Sequence, residues 1–178
     1  CGGRNLDKLY SYIEEHNLDL KYIVLTHGHG DHIEGLNDLA EKYPEAKVYV
    51  GEEEKDFLYN SELSLSDRIF GEFFKFKGEL HTVREGDMIG DFKVIDTPGH
   101  TIGSKSFYDE KAKILISGDT LFRRSYGRYD LPTGDLNMLC NSLEKLSKLP
   151  EETVVYSGHT EETTIGEEKK FLERVGIL

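Results

Sequence analysis

Thr26-His27-Gly28-His29-Gly30-Asp31-His32 places four groups able to bind a metal within six residues, directly after the apolar run Tyr22-Ile23-Val24-Leu25. Neutral imidazoles and carboxylates suit zinc, iron or manganese on ligand type alone. Gly28 and Gly30 lack side-chain bulk, which predicts a tight turn that points alternate side chains inward. One short stretch fills at most part of two coordination shells. The rest of the chain must supply the remaining ligands if the stretch holds metal.

Outward from this stretch, the pattern predicts alternating helices and strands. Leu6, Leu9, Tyr10 and Ile13 recur at helical spacing, with Asn5 as N-cap and Asn17 near the end. A strand over 20–26 leads into the histidines, and a helix over 33–43, carrying Ile33, Leu36, Leu39 and Ala40, is closed by Pro44. Val48-Tyr49-Val50 reads as a buried strand, and Gly51-Glu52-Glu53-Glu54 as the acidic first turn of another helix. Residues 60–66 read as loop. The rings of Phe70, Phe73, Phe74 and Phe76, with Ile69, then form a cluster without a clean period, read either as a cap on the core or as a wall of a substrate site.

Beyond residue 80 the pattern turns to β. Segments 81–83, 87–89 and 92–96 are separated by Glu85-Gly86 and Gly90-Asp91 turns, and 104–108 pairs with 113–117 as a hairpin. Asp135 caps a helix carrying Leu136, Leu139, Leu143 and Leu146, which Pro150 ends; a strand follows over 153–156. Thr164-Ile165-Gly166-Glu167 reads as a capping box opening the last helix. This order predicts sheets packed between helical layers.

Composition narrows the function. The chain has 178 residues, 37% hydrophobic and 31% charged, enough for one globular domain with a core. Lys and Arg number 22 against 34 Asp and Glu, a net charge of −12. Such a surface repels phosphate backbones, so no nucleic-acid partner is expected. Two metal ions would make the site itself far less negative, which leaves room for an anionic substrate. No apolar run approaches the roughly 18 residues of a membrane span. The opening Cys1-Gly2-Gly3-Arg4-Asn5 has no basic-then-apolar pattern, so no signal peptide is expected in it. Cys1 and Cys140 offer neither a disulfide framework nor a zinc spacing, which favours a reducing, cytoplasmic setting.

Three further ligand candidates follow predicted strands, each preceded by a small or turn residue. They are His100 in Thr97-Pro98-Gly99-His100-Thr101, Asp119 in Ser117-Gly118-Asp119-Thr120, and His159 in Ser157-Gly158-His159-Thr160. Chain leaving a sheet end in this way aims a side chain into a cleft. His16 and His81 stand outside any such context.

Together with the opening stretch, these residues resemble the metallo-β-lactamase fold superfamily, whose signature is H-x-H-x-D-H followed by separated His, Asp and His. The resemblance implies an α/β (α+β) four-layer αββα sandwich over 1–178, a single domain. It also implies two divalent metal ions, zinc first with iron or manganese as alternatives. His27, His29 and His100 would hold one ion; Asp31, His32 and His159 would hold the other; Asp119 would bridge. A metal-bridging hydroxide then acts as nucleophile, with Asp31 helping to orient it.

Within the superfamily, Gly118-Asp119-Thr120-Leu121-Phe122, the run from Gly127 through Asp135, and Gly158-His159-Thr160 onward resemble single-domain glyoxalase II-like (hydroxyacylglutathione hydrolase-like) proteins. These hydrolyse a small thioester such as S-lactoylglutathione to a hydroxy acid and a thiol. Asp119 stands where penicillin-hydrolysing di-zinc enzymes typically carry cysteine, and His29 stands where flavodiiron members usually have glutamate. Arg128 falls where the longer glyoxalase II enzymes keep a lysine, and it is a candidate carboxylate clamp; a salt bridge with Asp130 or Asp135 is the alternative. Asp130 and Glu161 depart from the family's usual tyrosines. Family members carry further strands before a D-x-G-G-like turn whose tail Cys1-Gly2-Gly3 resembles, so an N-terminally truncated domain is expected. A mononuclear-iron persulfide dioxygenase and a non-catalytic metal-binding domain are the competing readings.

Overall fold

The computed structural model describes residues 2–178; the Cys1 end of the expected turn lies outside the described residues. The chain divides into two compact units, the first ending at Thr82 and the second running Val83–Leu178.

The first unit opens with α1 (Asp7–Glu15) and β1 (Tyr22–Val24), followed by α2 (Gly30–Ile33), α3 (Leu36–Lys42) and β2 (Lys47–Gly51). A 3-10 helix (Glu52–Tyr59), α4 (Ser61–Ser64), α5 (Ser66–Phe70) and β3 (Leu80–Val83) complete it. The strands form a sheet in the order β1-β2-β3, with β1 and β2 parallel and Ile23 opposite Val48. Val48 and Val50 point inward while Lys47 faces solvent, the period-2 alternation of a half-buried strand. Leu6, Ile23, Leu25, Ile33, Leu36 and Leu39 pack with them into one core.

Several local expectations change here. Asn5 takes the Asp7 N–H on its side chain (3.1 Å), but Leu6 holds the N-cap position: the short Asn side chain closes an Asx turn onto the first helical residue. The helix expected over 33–43 starts at Gly30 and breaks at Glu34-Gly35, so Asp31 and His32 lie on helix rather than loop. Apolar periodicity starts only at Ile33, which hid the first turn. The loop expected over 60–66 is two short helices. Asn60 caps the first by accepting the Glu62 N–H (2.9 Å), and Leu65 separates them in the left-handed conformation (φ 56°). Elements this short leave no periodic signal. Of the aromatic cluster, Phe74 and Phe76 are buried in the core, Phe70 packs against it, and Phe73 is 80% exposed.

The second unit is built on β4 (Met88–Ile89), β5 (Phe92–Asp96), β6 (Lys105–Asp109) and β7 (Ile114–Gly118). A small hairpin follows, β8 (Leu121–Phe122) with β9 (Ser125–Tyr126), and then α6 (Leu136–Leu146), β10 (Val154–Ser157), β11 (Thr163–Thr164) and α7 (Ile165–Arg174). Its six-stranded sheet has the order β11-β10-β7-β6-β5-β4. The expected hairpin is β6 with β7, Phe107 opposite Ile116. Asp135 caps α6 by accepting the Met138 N–H (2.8 Å). Thr164 accepts the Glu167 N–H (3.3 Å), but the Glu167 carboxylate takes the Thr163 hydroxyl (3.2 Å), so Thr164 makes half of the expected box. Leu139, Leu143 and Leu146 of α6, with Ile165 and Leu172 of α7, cluster with Ile95, Leu115 and Val155 of the strands. No helix among the described residues is long and apolar enough to cross a membrane.

Strand direction in this sheet positions the site. β5 runs antiparallel to β6 and β6 to β7, while β10 is parallel to β7. β5, β7 and β10 therefore point the same way, and their C-terminal ends lie at one end of the sheet. His100, Asp119 and His159 each lie one to four residues beyond those three ends.

Candidate metal centre

In the first unit, β1 delivers the chain to the histidines. Leu25 N–H still bonds to Tyr49 O (2.9 Å), so pairing with β2 continues to the threshold of the stretch. His27 and His29 are both buried, their rings at 89° with centroids 4.9 Å apart, and the His32 ring lies 4.1 Å from that of His27. His29 sits at the N-cap position of α2 with extended backbone, and Asp31 and His32 follow on that helix, Asp31 Oδ2 3.8 Å from His32 Nε2. Thr26 Oγ1 pairs with His27 Nδ1 (3.2 Å), which makes the other ring nitrogen, Nε2, the one that could bind a metal. Gly28 and Gly30 have no left-handed backbone, so the tight-turn reason expected for them gives way to another. A Cβ at Gly28 would lie 2.4 Å from Phe57 Cβ, and one at Gly30 would lie 3.0 Å from Ser66 Cα. Both glycines let the chain press against neighbouring helices.

In the second unit, two histidines converge on one carboxylate oxygen. His159 Nε2 lies 3.2 Å and His100 Nε2 3.6 Å from Asp119 Oδ2. Two ligand atoms each about 2.1 Å from a tetrahedral ion stand about 3.4 Å apart, so these spacings fit an ion on either side of Asp119. His100 Nδ1–H donates to Arg128 O (2.8 Å), which fixes the tautomer and leaves Nε2 for metal. The loop bearing His100 is tied to α6 and its cap: Ser142 Oγ donates to Pro98 O (2.6 Å) and Asp135 N–H to Gly99 O (2.9 Å). His159 is half-exposed; Phe122 meets its ring edge-on, and Arg123 braces its loop through Thr160 Oγ1 (3.1 Å) and an ion pair with Glu161. The donor set throughout is imidazole nitrogen plus carboxylate oxygen, the chemistry of zinc, iron and manganese sites.

Arg128 is exposed and engaged in a two-pronged fork with Asp130, Nε and Nη2 each 2.8 Å from a carboxylate oxygen. The fork raises the Arg128 pKa and holds the Asp130 carboxyl down at about 2. Asp130, rather than Asp135, is thus the salt-bridge partner; Asp135 is the α6 cap. His16 stacks on Tyr12 and His81 lies against Tyr49 and Glu79, both apart from the candidate ligands in sequence and contacts.

Sequence reading missed the groups that hold the ligands. Glu54, fully buried, accepts the Gly28 N–H on Oε2 (2.8 Å), between His27 and His29. It stands in a run of three glutamates, and nothing in the sequence marks it out from the other two. Thr26 and Ser142 likewise act through single contacts that no spacing announces.

The family model of the metallo-beta-lactamase superfamily matches residues 2–159, which contain all seven candidate ligands. A probable metallo-hydrolase of Bacillus subtilis, YqgX, is 41% identical over 89% of this chain and 77% of its own. The hydroxyacylglutathione hydrolase GloC of Haemophilus influenzae is 33% identical over 94% of this chain and 82% of its own. Among solved structures, the di-iron-bound form of TTHA1623 is similar at a TM-score of 0.86, with 35% identity over 95% of this chain and 84% of that one. In sequence and in fold, the chain belongs to the metallo-beta-lactamase superfamily.

Proposed function

We propose that the chain is a binuclear metal-dependent hydrolase that cleaves a small hydroxyacyl thioester. His27, His29 and His100 would hold one ion, Asp31, His32 and His159 the second, and Asp119 both. The observation that carries this reading is Asp119, whose single oxygen Oδ2 faces Nε2 of His100 and of His159 at 3.6 and 3.2 Å. An aspartate so placed can serve two ions at once. The Haemophilus influenzae relative named as a hydroxyacylglutathione hydrolase supports the substrate class.

When bound, two divalent cations supply a nucleophile from water near neutral pH and stabilise negative charge on a carbonyl oxygen. The chain's own groups do the rest. Asp31, partly exposed beside His32, helps to orient the attacking water, whose proton ends on the departing thiol. Water oxygen adds to the thioester carbonyl carbon, the C–S bond breaks, and the products are a hydroxy acid and a thiol. Arg128, at the exposed end of the segment after β9, is the group for a substrate carboxylate. Zinc is the proposed metal, with iron the alternative given the di-iron relative.

The test is to load the full chain with zinc or iron and assay it on S-lactoylglutathione, on glutathione persulfide with oxygen uptake recorded, and on a chromogenic cephalosporin. Thioester turnover that needs about two metal ions per chain is expected. Oxygen uptake with one iron would replace this reading by the dioxygenase one, and metal binding without turnover on any substrate would make the chain a non-catalytic domain.

A further inference from the structure

Glu54 is a carboxylic acid with no exposed surface, in an interior where an acidic side chain is rare unless something compensates it. It lies on the 3-10 helix, away in sequence from the histidine stretch, yet its Oε2 accepts the N–H of Gly28, the peptide between His27 and His29. That peptide is held from two sides. A Cβ on Gly28 would meet Phe57 Cβ at 2.4 Å and Glu54 Oε2 at 3.3 Å, and the Phe57 ring lies 6.1 Å from that of His29. The 3-10 helix therefore forms a floor under the histidine pair. The hydrogen bond to Gly28 sets the rotation of the His27–Gly28 peptide, directly after the first histidine and one residue before the second.

We infer that Glu54 is a positioning residue for the metal centre, fixing the His27–Gly28 peptide from which the histidine pair is laid out. This rests on the reading that His27 and His29 bind metal. It assigns a role to a side chain outside the seven ligands, and it predicts an effect on metal affinity rather than on folding alone. Loss of such a supporting contact typically weakens metal binding about 10- to 100-fold.

The experiment measures zinc binding by competition with a chromophoric chelator, on the full chain stripped of metal, for wild type and for Glu54→Asp. The aspartate keeps a carboxyl group but retracts it by one methylene from the Gly28 N–H. The metal-free Tm is recorded alongside. A fall of about fivefold or more in either binding step supports the inference, and a smaller change overturns it. A purely structural role would lower the metal-free Tm and leave affinity untouched, which falls on the overturning side. If Glu54→Asp does not fold without metal, Glu54→Met, which keeps the length but offers no acceptor oxygen, is judged by the same threshold. Wild-type chain that binds no zinc would sink the metal reading itself. Wild type that binds it while the variant binds equally would sink only the role of Glu54.

Discussion

Arg128 offers a cation to a substrate carboxylate only by giving up Asp130. The Asp130 carboxyl is held at about 2, below its ordinary value, so the fork is complete above the ordinary carboxylate range and is lost only as pH falls through about 2. Across any practical assay pH, then, substrate and Asp130 compete for one guanidinium. Asp130→Asn should lower KM for a carboxylate-bearing thioester, and Arg128→Ala should raise it, each by about two- to fivefold, since an exposed pair couples weakly. In both, kcat should stay near wild type. Steady-state kinetics on S-lactoylglutathione check this, and unchanged KM in both variants would remove Arg128 from the substrate site. At this scale the sequence was most informative about candidate ligands, since His, Asp and Gly in a fixed spacing have few other uses. It was least informative about what holds them. Glu54 and Ser142 act through contacts 26 and 44 residues away in the chain, and no local pattern encodes them.

Elements explain why His100 keeps its place. Its loop leaves β5 after Asp96, and three partners grip that residue. Asp96 N–H donates to Glu85 Oε2 (2.6 Å), Lys145 Nζ donates to Asp96 O (3.0 Å) and to Glu85 Oε2 (2.7 Å), and Lys105 pairs with the Asp96 carboxylate (2.8 Å). Burial pushes the Glu85 carboxyl up, but the Lys145 ammonium and the Asp96 N–H outweigh it and hold the pKa below the ordinary value. A depressed carboxyl stabilises the fold above its unfolded pKa, and that contribution disappears as pH falls through its folded one. Lys145→Met should therefore lower Tm at pH 7 by more than at pH 3, where wild type has itself lost part of the contribution. Equal losses at both pH values would show that Lys145 acts by packing alone. The turn between β4 and β5 was readable from Gly90-Asp91, and the β6–β7 hairpin from the pairing of 104–108 with 113–117. The split between α2 and α3 and the β8–β9 hairpin were not, because segments of two to four residues carry no period.

On the scale of the whole molecule, two separate apolar cores stand behind the two sets of ligands, one around Ile33, Leu36 and Val50 and the other around Leu115, Leu139 and Val155. Four proposed ligands belong to the first unit and three to the second. The chain divides into two compact units, and the single domain proposed over 1–178 predicts that they unfold together. A ligand that binds only folded protein stabilises it by about 2.7 kcal/mol at a hundredfold excess over its Kd. For a chain of this size about 1 kcal/mol moves Tm by about 2–4 °C. Scanning calorimetry should therefore show one transition with zinc present, and a chelator should lower its midpoint by roughly 5–11 °C. Two transitions in the zinc-loaded chain would deny the single-domain reading. A midpoint indifferent to the chelator would deny the ions any part in holding the fold.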